Sequence, residues 1–188
     1  MYEASDLRKG LKIELDGEPY IVTEFDFCKP GKGQALYRCR IKHLLNGSTM
    51  EKTFRVVDKI GTPDIYQREV IYSYQEGDHY VFSDAKTFEE IRVTAQVLGH
   101  SIYFLDDSMP CTIVLYREKP VEVTLPIFVE KKIGFTEPGA RGDTATNVTK
   151  PATLENGYEF RIPLFVNQGD TVRIDTRTGE YNERVSKA

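Results

Sequence analysis

Residues 11–22 read LKIELDGEPYIV, and this stretch decides the fold class of the chain. Apolar and polar residues alternate from Leu11 to Leu15 and the alternation resumes at Tyr20, as in half-buried β-strands. Between the two segments, Asp16-Gly17 supplies the positive φ angles that a two-residue hairpin turn needs. The stretch therefore predicts a β-hairpin.

The same pattern of strand, turn and returning strand recurs five more times along the chain. It predicts hairpins with turns at residues 46–47, 76–78, 118–120, 168–170 and 178–179. The turn at 168–170 would join a strand at 160–162 to one at 172–174, and the next turn would bring Ile174 toward Tyr181. One helix is predicted, capped by Thr94 and carrying Leu98, Ile102 and Leu105 at helical spacing. We therefore expect a mostly β protein.

Domain boundaries are expected where proline and glycine interrupt this pattern, at Gly61-Thr62-Pro63 and Leu125-Pro126. They divide the chain into residues 1–63, 64–126 and 127–188. Each segment is close to the lower size limit for an independent core, so we expect the three to stabilise one another by packing together. Short strands with one helix suggest small barrels, with the OB-fold favoured for the second and third segments.

The compartment is predicted from the first residues and from the cysteines. The N-terminal segment is polar and acidic, and no apolar run is long enough for a signal sequence or a membrane span. Cys28, Cys39 and Cys111 are odd in number and form no C-x-x-C pair, so we expect reduced and mostly buried thiols. These features indicate a cytoplasmic protein without a membrane partner.

The net charge of −4 is unevenly distributed. Residues 1–63 carry a net charge of +2, residues 64–126 carry −6 and residues 127–188 are neutral. The stretch from Phe27 to Met50 contains several cations and no acid. A basic strip on an acidic protein is expected to face one anionic partner and to discourage non-specific coating of others. The cations are Lys29, Lys32, Arg38, Arg40 and Lys42.

The most specific motif is KPGKGQA at residues 29–35. Pro30, Gly31 and Gly33 predict a narrow turn that holds Lys32 away from the body of the protein with nothing bulky beside it. Lysine offers a compact cation on a long, flexible stem. By itself the motif also fits an ordinary hairpin tip with a solvated lysine. It is not a phosphate-binding P-loop, because the G-x-x-x-x-G-K-[ST] spacing is missing.

Catalytic and metal-binding constellations are sparse. His43, His79 and His100 lie in separate stretches without carboxylates at metal-ligand spacing, and we expect ordinary polar roles for them. No histidine lies near Cys28 in the sequence, which disfavours a nucleophile and base pair. We therefore predict that the protein is not an enzyme and holds no metal or cofactor. A hydrolase with a triad assembled only in space stays an alternative.

The last third of the chain offers a second candidate RNA contact. Gly142, Asp143 and Thr144 could present backbone amides and a hydroxyl to sugar or phosphate groups. Tyr181 and Arg184 could stack on a base or contact the RNA backbone. A purely structural turn and an ordinary strand tyrosine are the alternatives.

Taken together, these stretches resemble the bacterial elongation factor P family over the whole chain. The N-terminal resemblance lies in LKI at 11–13, DGEPY at 16–20, KPGKGQA at 29–35 and EKTF at 51–54. In the last third, GDTA at 142–145, KPATL at 150–154 and IPLFV at 162–166 resemble the family signature, with Ile162 where valine is more usual. DTRTGEY at 175–181 completes it, and the acidic middle segment matches least.

The resemblance implies a fold and a function. It implies three small barrels in an L shape, a KOW-like N-terminal domain followed by two OB-folds. Such a protein would act as a monomer and bind the ribosome beside the peptidyl-tRNA, where it promotes peptide bond formation at consecutive prolines. Lys32 would enter beside the peptidyl transferase centre.

The resemblance also implies that an enzyme extends Lys32, because family members often carry a modification there, and the surrounding motif is most similar to members with a β-lysyl group. The candidate contacts to rRNA and peptidyl-tRNA are Lys29, Pro30, Gly31, Lys32, Gly33, Arg38, Arg40 and Lys42. A generic OB-fold RNA-binding or ribosome-assembly protein is the alternative, in which Lys32 would be one phosphate contact among several.

Overall fold

A computed structural model of the chain describes residues 1–31, 33–139 and 148–188. The described residues form two compact units, the first made of residues 1–68 and 113–122 and the second of residues 69–112 and 123–188. Strands dominate both units, so the mostly β fold class is confirmed. The domain boundaries at residues 63 and 126 stay a prediction.

Strands and short helices follow one another along the chain as follows. The strands of the described residues are β1 Tyr2–Glu3, β2 Lys12–Leu15, β3 Glu18–Cys28, β4 Leu36–His43, β5 Thr49–Arg55, β6 Lys59–Ile60, β7 Ile65–Glu76, β8 His79–Asp84, β9 Glu90–Thr94, β10 Pro110–Tyr116, β11 Lys119–Thr124, β12 Phe128–Thr136, β13 Thr149–Leu154, β14 Glu159–Pro163, β15 Thr171–Asp175 and β16 Glu180–Ser186. The helical segments are α1 Ala95–Leu98 and two 3₁₀ turns, Ala4–Asp6 and Gly99–Tyr103.

The first unit is built on an antiparallel sheet of order β2-β3-β4-β5. Its first hairpin is the predicted one, with Leu15 opposite Glu18 and positive φ angles of 52° at Asp16 and 81° at Gly17. The predicted hairpin that turns at residues 46–47 is also present. One face of the sheet buries an apolar cluster, which comprises Ala4, Leu7, Leu11, Ile13, Val22, Cys39, Ile41, Phe54 and Ile60.

The last third of the chain forms a five-stranded antiparallel sheet of order β14-β13-β12-β15-β16. The predicted hairpin that turns at residues 178–179 is confirmed, and it places Ile174 opposite Tyr181. The predicted hairpin between residues 160–162 and 172–174 is wrong, because β14 pairs with β13 and β15 pairs with β12. Backbone hydrogen bonds of 2.9 Å join Ile133 of β12 to Gly169 and Asp170. The turn at 168–170 is therefore held by β12, and β15 pairs with the edge of β12 that β13 does not occupy.

The middle of the chain forms a sheet of order β11-β10-β7-β8-β9. The predicted hairpin between β7 and β8 is confirmed, with Glu76 opposite His79. The β10 and β11 strands are neighbours as predicted, but their turn comes earlier than expected. Arg117 and Glu118 adopt positive φ angles of 46° and 67°, and Lys119 and Pro120 already belong to the strand.

The predicted helix at residues 94–105 is much shorter than expected. It spans only Ala95–Leu98, since Gly99 has a φ of 56° and ends the α-helical backbone. A 3₁₀ turn replaces the rest of it. Thr94 occupies the capping position, but its side chain forms no capping hydrogen bond with any described residue. The apolar residues that were expected to line one helical face are therefore only in part buried, with Leu98 inside and Ile102 half-buried.

Candidate nucleic-acid interface

The KPGKGQA motif lies at the end of the long hairpin formed by β3 and β4. The two strands pair from Tyr20 opposite His43 to Cys28 opposite Leu36. The residues Lys29, Pro30, Gly31 and Gly33 beyond this pair are all exposed, and Lys32 lies outside the described residues. We call residues 29–35 the tip of the hairpin.

The two glycines of the tip differ in what their positions would tolerate. Gly33 has a φ of 147°, which disfavours any side chain, and a Cβ there would lie 3.4 Å from Pro30 Cγ. A Cβ at Gly31 would have no described atom within 4 Å. Position 33 therefore needs glycine for its backbone conformation, whereas position 31 has room for a Cβ among the described atoms.

One face of the hairpin carries charges of both signs, which corrects the basic strip expected from the sequence. Glu24 of β3 and Glu51 of β5 lie opposite Arg40 of β4. Arg40 donates hydrogen bonds of 2.9 Å to Glu24 and 3.2 Å to Glu51. The hydrogen bond to Glu51, followed by the charges of both carboxylates, raises the pKa of Arg40. The stretch from Phe27 to Met50 has no acid in sequence, but the neighbouring strands bring acids to it in space.

Three other cations of the stretch are exposed. Lys29, Arg38 and Lys42 form no ion pair with any carboxylate of the described residues. Arg38 lies opposite Asp26 in the sheet register, yet their side chains do not form a hydrogen bond in the described part of the chain. These three side chains are therefore available to an anionic partner, whereas Arg40 already serves two carboxylates.

The opposite face of the same hairpin carries aromatic rings that the sequence analysis missed. Phe25 and Phe27 of β3 are 37% and 49% exposed. Their ring centroids lie 6.1 Å and 5.1 Å from that of Tyr37 on β4. We call Phe25, Phe27 and Tyr37 the aromatic face. The signal in the sequence was the alternation of aromatics in FDF at residues 25–27, next to the tip.

The base of the hairpin is held by a buried histidine instead of the ordinary polar residue expected. His43 Nδ1 accepts backbone hydrogen bonds of 3.1 Å from Leu45 and 3.3 Å from Asn46. Its Nε2 lies 3.2 Å from the Glu18 carboxylate, and the Tyr20 ring meets it edge-on. The His43 imidazole therefore holds the turn that follows β4 and connects that turn to β3 through Glu18.

The candidate RNA contacts of the last third are described only in part. Gly142, Asp143 and Thr144 lie outside the described residues. Arg184 donates a 3.0 Å hydrogen bond to the Phe165 carbonyl and lies 3.4 Å from the Asp170 carboxylate, with its guanidinium over the Phe165 ring. Tyr181 is half-buried, and this burial raises its pKa. Arg184 thus has internal partners on one side, which its sequence did not indicate.

Other kinds of site find little support in the described part of the chain. Its His, Cys, Asp and Glu side chains form no group of three or more that could hold a metal ion. Cys28, Cys39 and Cys111 are free thiols, and two of the three are buried. None of the helices in residues 1–31, 33–139 and 148–188 has the length and hydropathy that a membrane span needs.

Comparison with known proteins places the chain in a family. Three family models match it: the elongation factor P KOW-like domain over residues 3–60, its OB domain over 65–123 and its C-terminal domain over 129–184. The KOW-like and OB domains of the predicted fold class are therefore confirmed.

Whole-length relatives agree with the family models. Elongation factor P of Alkaliphilus oremlandii is 50% identical over 185 residues, covering 98% of this chain and 100% of its own. That of Desulfotalea psychrophila is 45% identical over 187 residues and covers both chains completely. The solved structure of eukaryotic translation initiation factor 5A from Methanococcus jannaschii has a similar fold, with a TM-score of 0.54 over 66% of this chain and 90% of its own at 19% identity. The chain belongs to the elongation factor P family.

Proposed function

We propose that this translation elongation factor binds the ribosome beside the peptidyl-tRNA and promotes peptide bond formation at consecutive prolines. The observation that carries the proposal is the exposed tip of a long hairpin in a chain of the elongation factor P family. Lys32 extends from this tip to the peptidyl transferase centre after an enzyme has lengthened its side chain.

The proposed action needs no reaction by the protein itself. The proline ring fixes φ and constrains the nascent chain, so consecutive prolines react slowly. A factor that orders the peptidyl-tRNA lowers the entropic part of the barrier, since correctly placed reactants need less reorganisation to react. A cation on a long stem suits this role because it meets the phosphate and ribose oxygens of the tRNA end without a fixed geometry.

Docking is proposed to rest on the cations of the hairpin that form no ion pair within residues 1–31, 33–139 and 148–188. Lys29, Arg38 and Lys42 would contact phosphates of rRNA or tRNA, and Arg40 would add less because two carboxylates already hold it. Pro30, Gly31 and Gly33 would bring the backbone close to the RNA. The loop of Gly142, Asp143 and Thr144 would form a second contact, with Tyr181 and the outer side of Arg184 beside it.

The remaining parts of the proposal concern organisation and setting. The factor would act as a cytoplasmic monomer with domain boundaries near residues 63 and 126. The modifying enzyme would recognise the tip and act on Lys32, while the ribosome would bind the modified form. No metal or cofactor takes part in the proposed action.

The test compares Lys32→Ala with the wild type in a reconstituted translation system. Pro30, Gly31 and Gly33 around Lys32 are exposed, so the substitution should leave the melting temperature unchanged. Ribosome affinity should fall only in part, while synthesis through three consecutive prolines should collapse. Lys119→Ala, which removes an exposed lysine from β11, is the matched control and should behave as wild type. Normal polyproline synthesis by Lys32→Ala would contradict the proposal, and equal loss of binding and synthesis would favour a generic RNA-binding protein.

A further inference from the structure

The aromatic face of the β3–β4 hairpin has features that core packing does not require. Its inner end is ordinary core, because Cys39 and Phe54 beside it are buried. Toward the tip the same face emerges from the protein, and Phe25 and Phe27 keep 37% and 49% of their surface exposed. An apolar ring left this open near a proposed site of action is a candidate contact for a partner.

The sheet register separates the aromatic rings from the acids. Phe25 lies opposite Cys39, and Cys39 lies opposite Lys52, so Lys52 shares the aromatic face. Because side chains alternate between the faces of a strand, Glu24 and Asp26 lie on the reverse face, where Arg38 and Arg40 also lie. The aromatic face therefore combines exposed rings with a cation and carries none of the neighbouring acids of β3.

Ring-to-ring contacts join the two strands of this face across the hairpin. Tyr37 contacts both phenylalanines, with interplanar angles of 33° to Phe25 and 50° to Phe27. These contacts limit how far the phenylalanine rings can reorient, which reduces the side-chain entropy that binding would cost. Partly exposed aromatic rings that are supported in this way suit stacking with an unpaired base.

We infer that the aromatic face is a stacking site for unpaired nucleobases of RNA, with Phe25 and Phe27 as the platform, Tyr37 as its support and Lys52 as a phosphate contact. Lys29, one residue beyond the end of β3, adds a second cation on the way to the tip. The inference deepens the proposed function, since it rests on RNA being the partner of the hairpin. The stacking site would add a contact with the bases themselves to the phosphate contacts of the tip.

The absence of tryptophan from the chain makes this site directly measurable. Phe27→Trp introduces one indole into the platform and keeps an aromatic ring there. Its emission should be quenched on titration with an unstructured single-stranded RNA dodecamer. An abasic dodecamer with the same phosphates should quench far less and bind about tenfold more weakly, because stacking depends on the bases. Phe88→Trp is the control, since Phe88 is 78% exposed in the other unit and its emission should not respond.

A second variant separates stacking from apolar packing. Phe27→Leu keeps an apolar side chain of similar reach but removes the π-face, so RNA affinity should fall roughly tenfold with little change in melting temperature. Equal quenching by the intact and abasic RNA would overturn the inference. The inference would also be overturned if Phe27→Leu kept the RNA affinity of the wild type but bound the ribosome more weakly. That result would assign the aromatic face to a protein partner. Neither outcome bears on the proposed function, which is tested separately by polyproline synthesis with the Lys32 variants.

Discussion

The tip of the β3–β4 hairpin and the turn between β15 and β16 are both short, glycine-containing turns with basic residues nearby, yet their surroundings are opposite. At the tip, Gly31 faces open space among the described atoms. In the other turn, Gly179 is buried and its carbonyl accepts a 3.1 Å hydrogen bond from Tyr158. The same turn chemistry thus serves an exposed, outward-facing end in one case and internal packing in the other.

The two turns also differ in whether their basic side chains have carboxylate partners. Arg177 donates from its guanidinium to both oxygens of Asp175, and this hydrogen bonding lowers the pKa of Asp175 to about 2. The cation of the β15–β16 turn is therefore neutralised by its own turn. Arg38, near the tip, has no such partner among the described carboxylates. Substitutions in the two regions should consequently affect different properties: folding stability in one, RNA-dependent activity in the other.

The largest expected effect on stability comes from Gly179→Ala. A Cβ there would lie 2.0 Å from Tyr158 Oη, at a φ of 76° that already strains a side chain. Tyr158 packs against Tyr103, Phe104 and Phe160, so moving its ring to relieve the clash would disturb these contacts. We expect a loss of about 3 kcal/mol in the free energy of unfolding, measured by urea denaturation.

Gly157→Ala provides the matched control for that measurement. Gly157 has a similar φ of 88°, but a Cβ there would have no described atom within 4 Å. Only the backbone strain remains, so the loss should be about 1 kcal/mol. Equal losses in the two variants would show that the contact with Tyr158 contributes nothing.

At the tip, Gly33→Ala and Gly31→Ala should differ in activity and hardly at all in stability. Gly33 has a φ of 147°, which strains any side chain, whereas a Cβ at Gly31 would meet no described atom within 4 Å. Changing Gly33 should redirect the backbone next to Lys32, so polyproline synthesis should fall several-fold more than with Gly31→Ala. Both variants should unfold within about 1 kcal/mol of wild type, because exposed turns contribute little to the core. A large stability loss in either would mean that the tip is packed against the body of the protein.

A pH-dependent effect is expected from Asp170, near Arg184. Burial pushes the pKa of Asp170 up, but the backbone N–H groups of Asn167 and Ala188 and the Arg184 guanidinium outweigh it, and the pKa lies below its ordinary value of 3.8. The carboxylate therefore stabilises the fold above about pH 4, and this contribution is lost as the pH falls further.

Asp170→Asn should accordingly lower the free energy of unfolding by about 1–3 kcal/mol at pH 7, as expected for the loss of hydrogen bonds to a charged group. The difference from wild type should shrink at pH 3. Denaturant unfolding at the two pH values measures it. A difference of the same size at both values would mean that the ionised carboxylate is not what stabilises the turn.

The smallest expected effect distinguishes two arginines of one strand. Arg38→Gln should flatten the dependence of log ribosome affinity on log salt concentration by about 0.7–0.9, the value for one lost phosphate contact. Arg40→Gln should flatten it less, since Arg40 is held by Glu24 and Glu51. Affinity measured at four or more salt concentrations gives both slopes. If Arg40→Gln flattened the slope more than Arg38→Gln, the two carboxylates would instead orient the Arg40 guanidinium toward the RNA.

Local signals in the sequence predicted local structure well. Alternation and the Asp16-Gly17 turn predicted the first hairpin, and the Thr178-Gly179 turn predicted the hairpin that brings Ile174 toward Tyr181. The prediction at residues 160–174 failed because the turn there is held by Ile133, far away in sequence. The helix was predicted too long because the apolar spacing concealed the effect of one residue, Gly99.

The candidate site was predictable where a motif is local and unpredictable where strands meet. KPGKGQA indicated the exposed tip directly. The pairing of Arg40 with Glu24 and Glu51, by contrast, depends on the register of three strands, and the three residues are too far apart in sequence for a local motif to show it. The aromatic face has the same origin, because Tyr37 reaches Phe25 and Phe27 only across the hairpin.

The central claim is that the tip acts through the specific chemistry of a lysine at residue 32 and not through positive charge alone. Lys32→Arg tests it most directly, because arginine keeps the charge but changes the geometry of the head group and blocks a modification directed at lysine. In reconstituted synthesis through three consecutive prolines, with modified wild-type protein as reference, we expect Lys32→Arg to fail nearly as badly as Lys32→Ala. Full activity of Lys32→Arg would contradict the account.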